Sequence, residues 1–139
     1  MAAKVARHNQ IAALYTAELD GTPGIGFQRL PAGHLSSYKD FSVRVDPEAF
    51  GMTRDELGGA LLKENIETKK YFYPPLHQQT LFRQFAPADA SGLAATEAVA
   101  GSVLSLPIYE SLPAGTVRQV ASAIRELSQP VRPQGARTC

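Results

Sequence analysis

The stretch Tyr71-Phe72-Tyr73-Pro74-Pro75-Leu76-His77 carries the side chains best suited to chemistry in this sequence. Each proline sets φ at about −65° and lacks an N–H, so an extended segment entering from Asn65 must end there. Pro75 also holds Pro74 in an extended conformation. An imidazole can donate or accept a hydrogen bond and titrates near neutral pH. With Tyr71, Phe72 and Tyr73 on one side and His77 on the other, the turn could hold a polar ligand that has an apolar face. The plainer alternative is a loop that closes the core with its aromatics.

Other chemistry finds less support in residue types. The histidines are His8, His34 and His77, and none has a partner at metal-ligand spacing, so no metal site is expected. A serine nucleophile would need an elbow such as G-x-S-x-G, which does not occur. Gly21, Gly24 and Gly26 follow a helical pattern rather than a strand, which reads as a turn and not as a phosphate cradle. His34 beside Ser36 and Ser37 either binds an anion or is a solvated loop histidine. Lys69 and Lys70 occupy adjacent extended positions and so point to opposite sides. Either one lines a cleft, or both defend an edge strand.

The elements that must position these residues follow from periodicity. Ile11, Leu14, Tyr15 and Leu19 share one face of a helix expected near 5–19, with Gly21 as its C-terminal cap. Short extended segments are expected at 25–30 and 105–109. Residues 38–45 alternate, with Phe41, Val43 and Val45 facing one way and Asp40, Ser42 and Arg44 the other. Thr53 and Glu56 form a capping box before a helix near 54–64 whose apolar stripe is Leu57, Ala60 and Leu61. Asn65 suits the left-handed exit of that helix. A second strand is expected at 66–72, and a short helix with Leu81, Phe82 and Phe85 after His77. Ala95, Val99 and Val103 share a helical face. A last helix near 114–127 carries Val117, Val120, Ala121 and Ile124. The expected fold is α+β: a two-layer small domain over residues 1–127, with helices packed on one face of a small, mostly antiparallel sheet. Residues 128–139 read as a disordered tail.

Composition bounds the rest. A chain of 139 residues makes one domain and can bury roughly two-thirds of its unfolded surface without staples. A net charge of +1 recommends neither nucleic acid nor an acidic membrane as a partner. The single cysteine, Cys139, cannot form an internal disulfide. No stretch approaches the ~20 apolar residues of a membrane span, and the N-terminus lacks the apolar run of a signal peptide. A cytoplasmic protein is the expectation.

A family resemblance adds to this. The order Arg-Asp-Glu-Leu (54–57), Asn-Ile-Glu-Thr (65–68), Tyr-Phe-Tyr-Pro-Pro-Leu-His (71–77), Ala-Thr-Glu (95–97) and Leu-Ser-Leu-Pro-Ile-Tyr (104–109) resembles the C-terminal part of the DegT/StrS-type sugar aminotransferases. The likeness runs from about Ala6 to Leu127. Those enzymes are pyridoxal-phosphate (PLP) proteins of the aspartate-aminotransferase fold, and their large N-terminal domain supplies the Schiff-base lysine and most cofactor contacts. Lys4, Lys39, Lys63, Lys69 and Lys70 do not match the context of that lysine. The resemblance therefore implies the small domain of a nucleotide-sugar aminotransferase. It would contribute substrate orientation with no catalytic or cofactor-binding residue of its own, and would be inactive alone as a split subunit or truncated form. PLP would enter only with a complementing large domain. In the family the matching turn approaches the substrate, which implies His77 first, then Tyr73 and Tyr71, as contacts to a nucleotide-sugar. A non-catalytic nucleotide-sugar-binding or protein-interaction module is the alternative. A large-domain subunit or a second copy is the expected partner, docking on an exposed first helix at Ile11 and Tyr15.

Overall fold

The computed structural model describes residues 2–85 and 90–128. The first helix, α1, spans Ala2–Leu19 and buries Ile11, Ala12, Tyr15 and Leu19 along one stripe. Gly21 ends it with φ of 72°, a conformation that costs a residue with a Cβ far more than glycine. Gly24 is required for a second reason. A Cβ there would lie 2.4 Å from the Phe50 nitrogen, because Asp46 N–H donates to the Gly24 carbonyl at 2.8 Å and draws the two segments together. The glycine-rich stretch is thus a turn packed against a neighbour.

The sheet has three antiparallel strands in chain order: β1 (Ile25–Phe27), β2 (Phe41–Val45) and β3 (Val103–Leu106). Ile25 pairs with Val45, and Phe41 with Leu106. Phe41, Val43 and Val45 are buried on the inner face, as their alternation predicts. The strand starts at Phe41 rather than at residue 38 because Tyr38 adopts a left-handed conformation (φ 40°), with its N–H bonded to Ser36 Oγ at 3.0 Å. Val103, expected on a helical face, begins β3 and pairs with Arg44.

After β2, a single turn, α2 (Pro47–Phe50), is capped by Asp46. Helix α3 (Arg54–Lys63) starts on the complete Thr53–Glu56 capping box, and Asn65 leaves it with φ of 59°. Helix α4 (Ala94–Ser102) buries only Ala100, while α5 (Ala114–Leu127) buries Val117, Val120, Ala121 and Ile124. Helices α1, α3 and α5 share one core with the inner sheet face. Tyr15 stacks on Phe41 with ring centroids 5.3 Å apart, and its hydroxyl donates to the Pro107 carbonyl at 3.0 Å. The architecture is the expected α+β arrangement.

Three expectations need correction. Residues 66–72 do not form a strand; only Lys69 pairs, exchanging two backbone bonds with Ser105 at 3.1 and 2.8 Å. The helix exit takes the Ile66 N–H for the Leu61 carbonyl, and a turn closes at once from Tyr73 N–H to the Lys70 carbonyl, so too few free positions remain. The short helix expected after His77 is a 3₁₀ turn at Arg83–Phe85 alone, with Leu81 and Phe85 each 76% exposed. Ile11 and Tyr15 are buried against the sheet and α5, so α1 offers no docking stripe there. Exposed apolar side chains gather instead on the segment from Tyr71 to Phe85. The expected tail, apart from Ser128, lies outside the described residues. Among the described residues no helix is long and apolar enough to cross a membrane.

Leu104 is fully buried at the centre of β3. Leu104→Ala should destabilise the fold by about 2–5 kcal/mol, through lost transfer energy and the cavity left behind. Leu62→Ala, at an exposed site on α3, should stay within about 0.5 kcal/mol. Urea unfolding of the two variants checks the core; equal losses would refute this placement.

Candidate functional site

The site begins where α3 ends. The chain leaves Asn65, is pinned to β3 at Lys69, and turns through Tyr71, Phe72 and Tyr73 into the two prolines. The Tyr71–Phe72 and Tyr73–Pro74 peptide bonds are cis. Pro75 is buried, and a 3₁₀ turn, Leu76–Gln78, follows it. Gln79 Nε2 donates to the Pro74 carbonyl at 3.1 Å and closes the turn from behind.

His77, Tyr73 and Tyr71 come from this one turn but meet three different neighbours. His77 Nε2 lies 3.0 Å from Glu97 Oε1 on α4, and Gln78 Nε2 donates to the same oxygen at 3.0 Å. The imidazole is largely shielded, its side chain 13% exposed. Tyr73 lays its ring against the Arg54 guanidinium at 4.4 Å. Tyr71 packs against Phe72 at 5.3 Å and walls two depressions. One is a mixed cleft of about 400 Å³ in which Lys39, Asp40, Asn65 and Lys69 lie beside Tyr109 and the apolar Leu106 and Ile108. The other is an apolar groove of about 700 Å³ formed with Phe72, Leu76, Val99 and Val103. Of the three, Tyr71 lines both of these depressions, and His77 and Tyr73 line neither.

The adjacent lysines diverge as their spacing requires. Lys69 borders the mixed cleft and pairs with Glu67, whereas Lys70 turns to Asp55 at 2.7 Å. The Lys70 ammonium, and after it Arg54, hold the Asp55 carboxyl below the usual range. These exposed pairs add little stability each.

Two residues central to this arrangement were not singled out from sequence. Arg54, only 3% exposed, donates from Nη1 to the carbonyls of Ala100 and Val103 and from Nε to Asp55 Oδ1 at 2.9 Å. One signal could have found it. A cation at the first position of a helix sits against the positive end of the macrodipole, so it needs a partner elsewhere. Glu97 carries no comparable local signal; only the tertiary fold brings it to His77. Of the remaining histidines, His8 is buried with Nδ1 3.2 Å from the Ser37 carbonyl, and His34 is exposed.

No lysine of this chain has the surroundings that a Schiff base to PLP needs. A Schiff-base lysine must lose its proton, which burial or a neighbouring cation promotes. All five lysines are exposed. Lys69, the one beside Tyr71 in the cleft, has its amine pKa raised by the Glu67 carboxylate, the opposite of what aldimine formation needs.

The Glu97 carboxyl is held below the usual range by the hydrogen bond from His77, and secondarily by Gln78. A depressed folded pKa contributes stability above the unfolded value of about 4.3, and that contribution is lost as pH falls through the lowered folded value. Wild type should therefore be more stable than Glu97→Gln near neutrality, with the gap closing in acid. Because Asp55, Glu56 and Glu67 are also lowered, the difference between the two melting curves is the quantity to follow. A gap independent of pH would show that the bond does not favour the carboxylate.

Comparison with known proteins places this arrangement. The sequence is 35% identical over 108 residues to a dTDP-4-amino-4,6-dideoxy-D-glucose transaminase of Escherichia coli, covering 78% of this chain and 29% of that one. It is 33% identical over 130 residues to a dTDP-3-amino-3,4,6-trideoxy-alpha-D-glucose transaminase of Streptomyces venezuelae, covering 90% and 31%. The fold matches S. venezuelae DesV, solved in complex with a ketimine intermediate, with a TM-score of 0.80 and 31% identity over 91% of this chain and 32% of that one. It matches DesI, solved in the presence of its TDP-sugar product, with a TM-score of 0.80 and 27% identity over 89% and 31%. The chain spans about 30% of the length of these relatives. With the family model matched over residues 1–125, this chain belongs to the DegT/DnrJ/EryC1/StrS aminotransferase family.

Proposed function

We propose that residues 1–127 are the C-terminal small-domain portion of a PLP-dependent nucleotide-sugar aminotransferase. It orients the substrate and performs no transamination alone. The observation that carries this reading is the anchored aromatic turn beside a tyrosine-walled cleft of mixed lining, on a fold shared with enzymes that act on dTDP-linked sugars. Tyr71 and Tyr109 offer rings to a sugar face, while Asp40, Asn65 and Lys69 offer groups for hydroxyls. His77 is the first proposed substrate contact, followed by Tyr73 and Tyr71. With Nε2 engaged by Glu97, Nδ1 has no partner among the described residues and is the nitrogen offered to a ligand. PLP supplies the electron sink in such enzymes, and the amine that holds it would come from a complementing large domain. The reading includes a cytoplasmic location and either that large-domain partner or self-association.

A second reading has its own observation. Phe72, Leu76, Leu81 and Phe85 are all well exposed on one segment. Apolar side chains gathered on a surface usually mark an interaction site. A non-catalytic module that binds a nucleotide-sugar or a protein through this segment would present the same face.

Mixed with PLP, the chain should show no stoichiometric visible absorbance of a protein Schiff base. A band abolished by replacing one particular lysine would overturn the proposed division of labour. Titration with dTDP-sugars should give weaker binding for His77→Ala at an unchanged melting temperature. A lost hydrogen bond of roughly 1–3 kcal/mol corresponds to a loss of about 5- to 150-fold. Unchanged affinity with a lowered melting temperature would make His77 structural.

A further inference from the structure

We propose that Arg54 is a positioning residue: by offering its guanidinium face to Tyr73, it sets the pose of the turn that presents Tyr71 and His77. Its functional meaning rests on the reading that this turn faces the substrate. The geometry itself does not.

Arg54 engages Nη1, Nε and one face of its planar guanidinium. Two donor contacts run to the carbonyls of Ala100 and Val103, at the C-terminal end of α4 and the start of β3. There a cation meets the negative end of a helix, which offsets its unfavourable place at the start of α3. A third contact runs to Asp55, whose carboxylate also holds Lys70, one residue before the turn. One face stacks on Tyr73. A guanidinium buried this deeply cannot shed its partners, because an unpaired buried cation is expensive. Its plane is therefore fixed, and with it the surface on which the ring rests. Lysine could keep the charge but not the fork or the stacking face.

Little freedom separates Tyr73 from His77. Pro74 and Pro75 fix two φ angles, Pro75 is buried, and Gln78 N–H donates to the Pro75 carbonyl at 2.9 Å. A tether at Tyr73 therefore constrains the imidazole four residues on. The competing view is that Glu97 and Gln78 hold His77 without help, and that Arg54 merely joins α3 to α4.

The two views separate in the free protein by nuclear magnetic resonance. The reporter is the Glu97 carboxyl carbon, whose bonding partners among the described residues are His77 and Gln78; Arg83 holds the Gln78 carbonyl at 3.2 Å. In Arg54→Lys and in Tyr73→Leu, this resonance should move and its titration midpoint should rise toward that of an ordinary glutamate. Val120→Ala, a core change on α5, should lower the melting temperature and leave the Glu97 signal in place. If Arg54→Lys melts lower with the Glu97 titration unchanged, Arg54 is only a brace between helices and the proposal falls. If Arg54→Lys does not fold, Tyr73→Leu decides, since it removes the ring and leaves the buried fork intact; an unmoved Glu97 signal there also overturns the proposal. No ligand enters this experiment, so its failure is distinct from a failure of nucleotide-sugar binding.

Discussion

Everything in this domain is arranged around the inner face of β2. Phe41, Val43 and Val45 alternate on the middle strand of three, so each must be covered by something other than sheet. Helices α1 and α5 supply most of that cover, and α3 adds Leu57 and Leu61. Because Tyr15 stacks on Phe41 and bonds the Pro107 carbonyl, the same contact that closes the core also sets where the chain leaves β3. Burial pushes the Tyr15 hydroxyl pKa up, which keeps it a neutral donor.

The candidate site is built by different means. The segment from Tyr71 to Phe85 contributes almost nothing to the apolar core; most of its large side chains are exposed. Its order comes from two prolines, one backbone pairing at Lys69, and charged or polar side chains reaching in from α3 and α4. Such tethers are directional. They hold a turn in one pose without burying it, which suits a surface that meets another molecule.

The chain covers about 30% of the length of its relatives, and the exposed apolar segment lies beside the mixed cleft rather than on α1. Tyr71 walls both the mixed cleft and the apolar groove, so a ligand in one and a protein surface on the other would be in contact through a single ring.

Local rules determined much of this. Helical and strand periods placed α1, α3, α5 and the inner face of β2, because each pattern buries a stripe that only one geometry can gather. The Thr53–Glu56 box and the left-handed Asn65 were legible because capping is a contact among neighbours in sequence. The turn at Tyr73–His77 was legible because proline acts on its own backbone. Tertiary structure decided the rest. Residues 66–72 looked like a strand, yet strand formation needs free partners, and the helix exit and the following turn had taken them. Ile11 and Tyr15 were legible as an apolar stripe, but only packing shows which neighbour covers it. Arg54 and Glu97 pair with residues 46 and 20 positions away. No local pattern encodes such a meeting, because it exists only once the core has brought α3, α4 and the turn together.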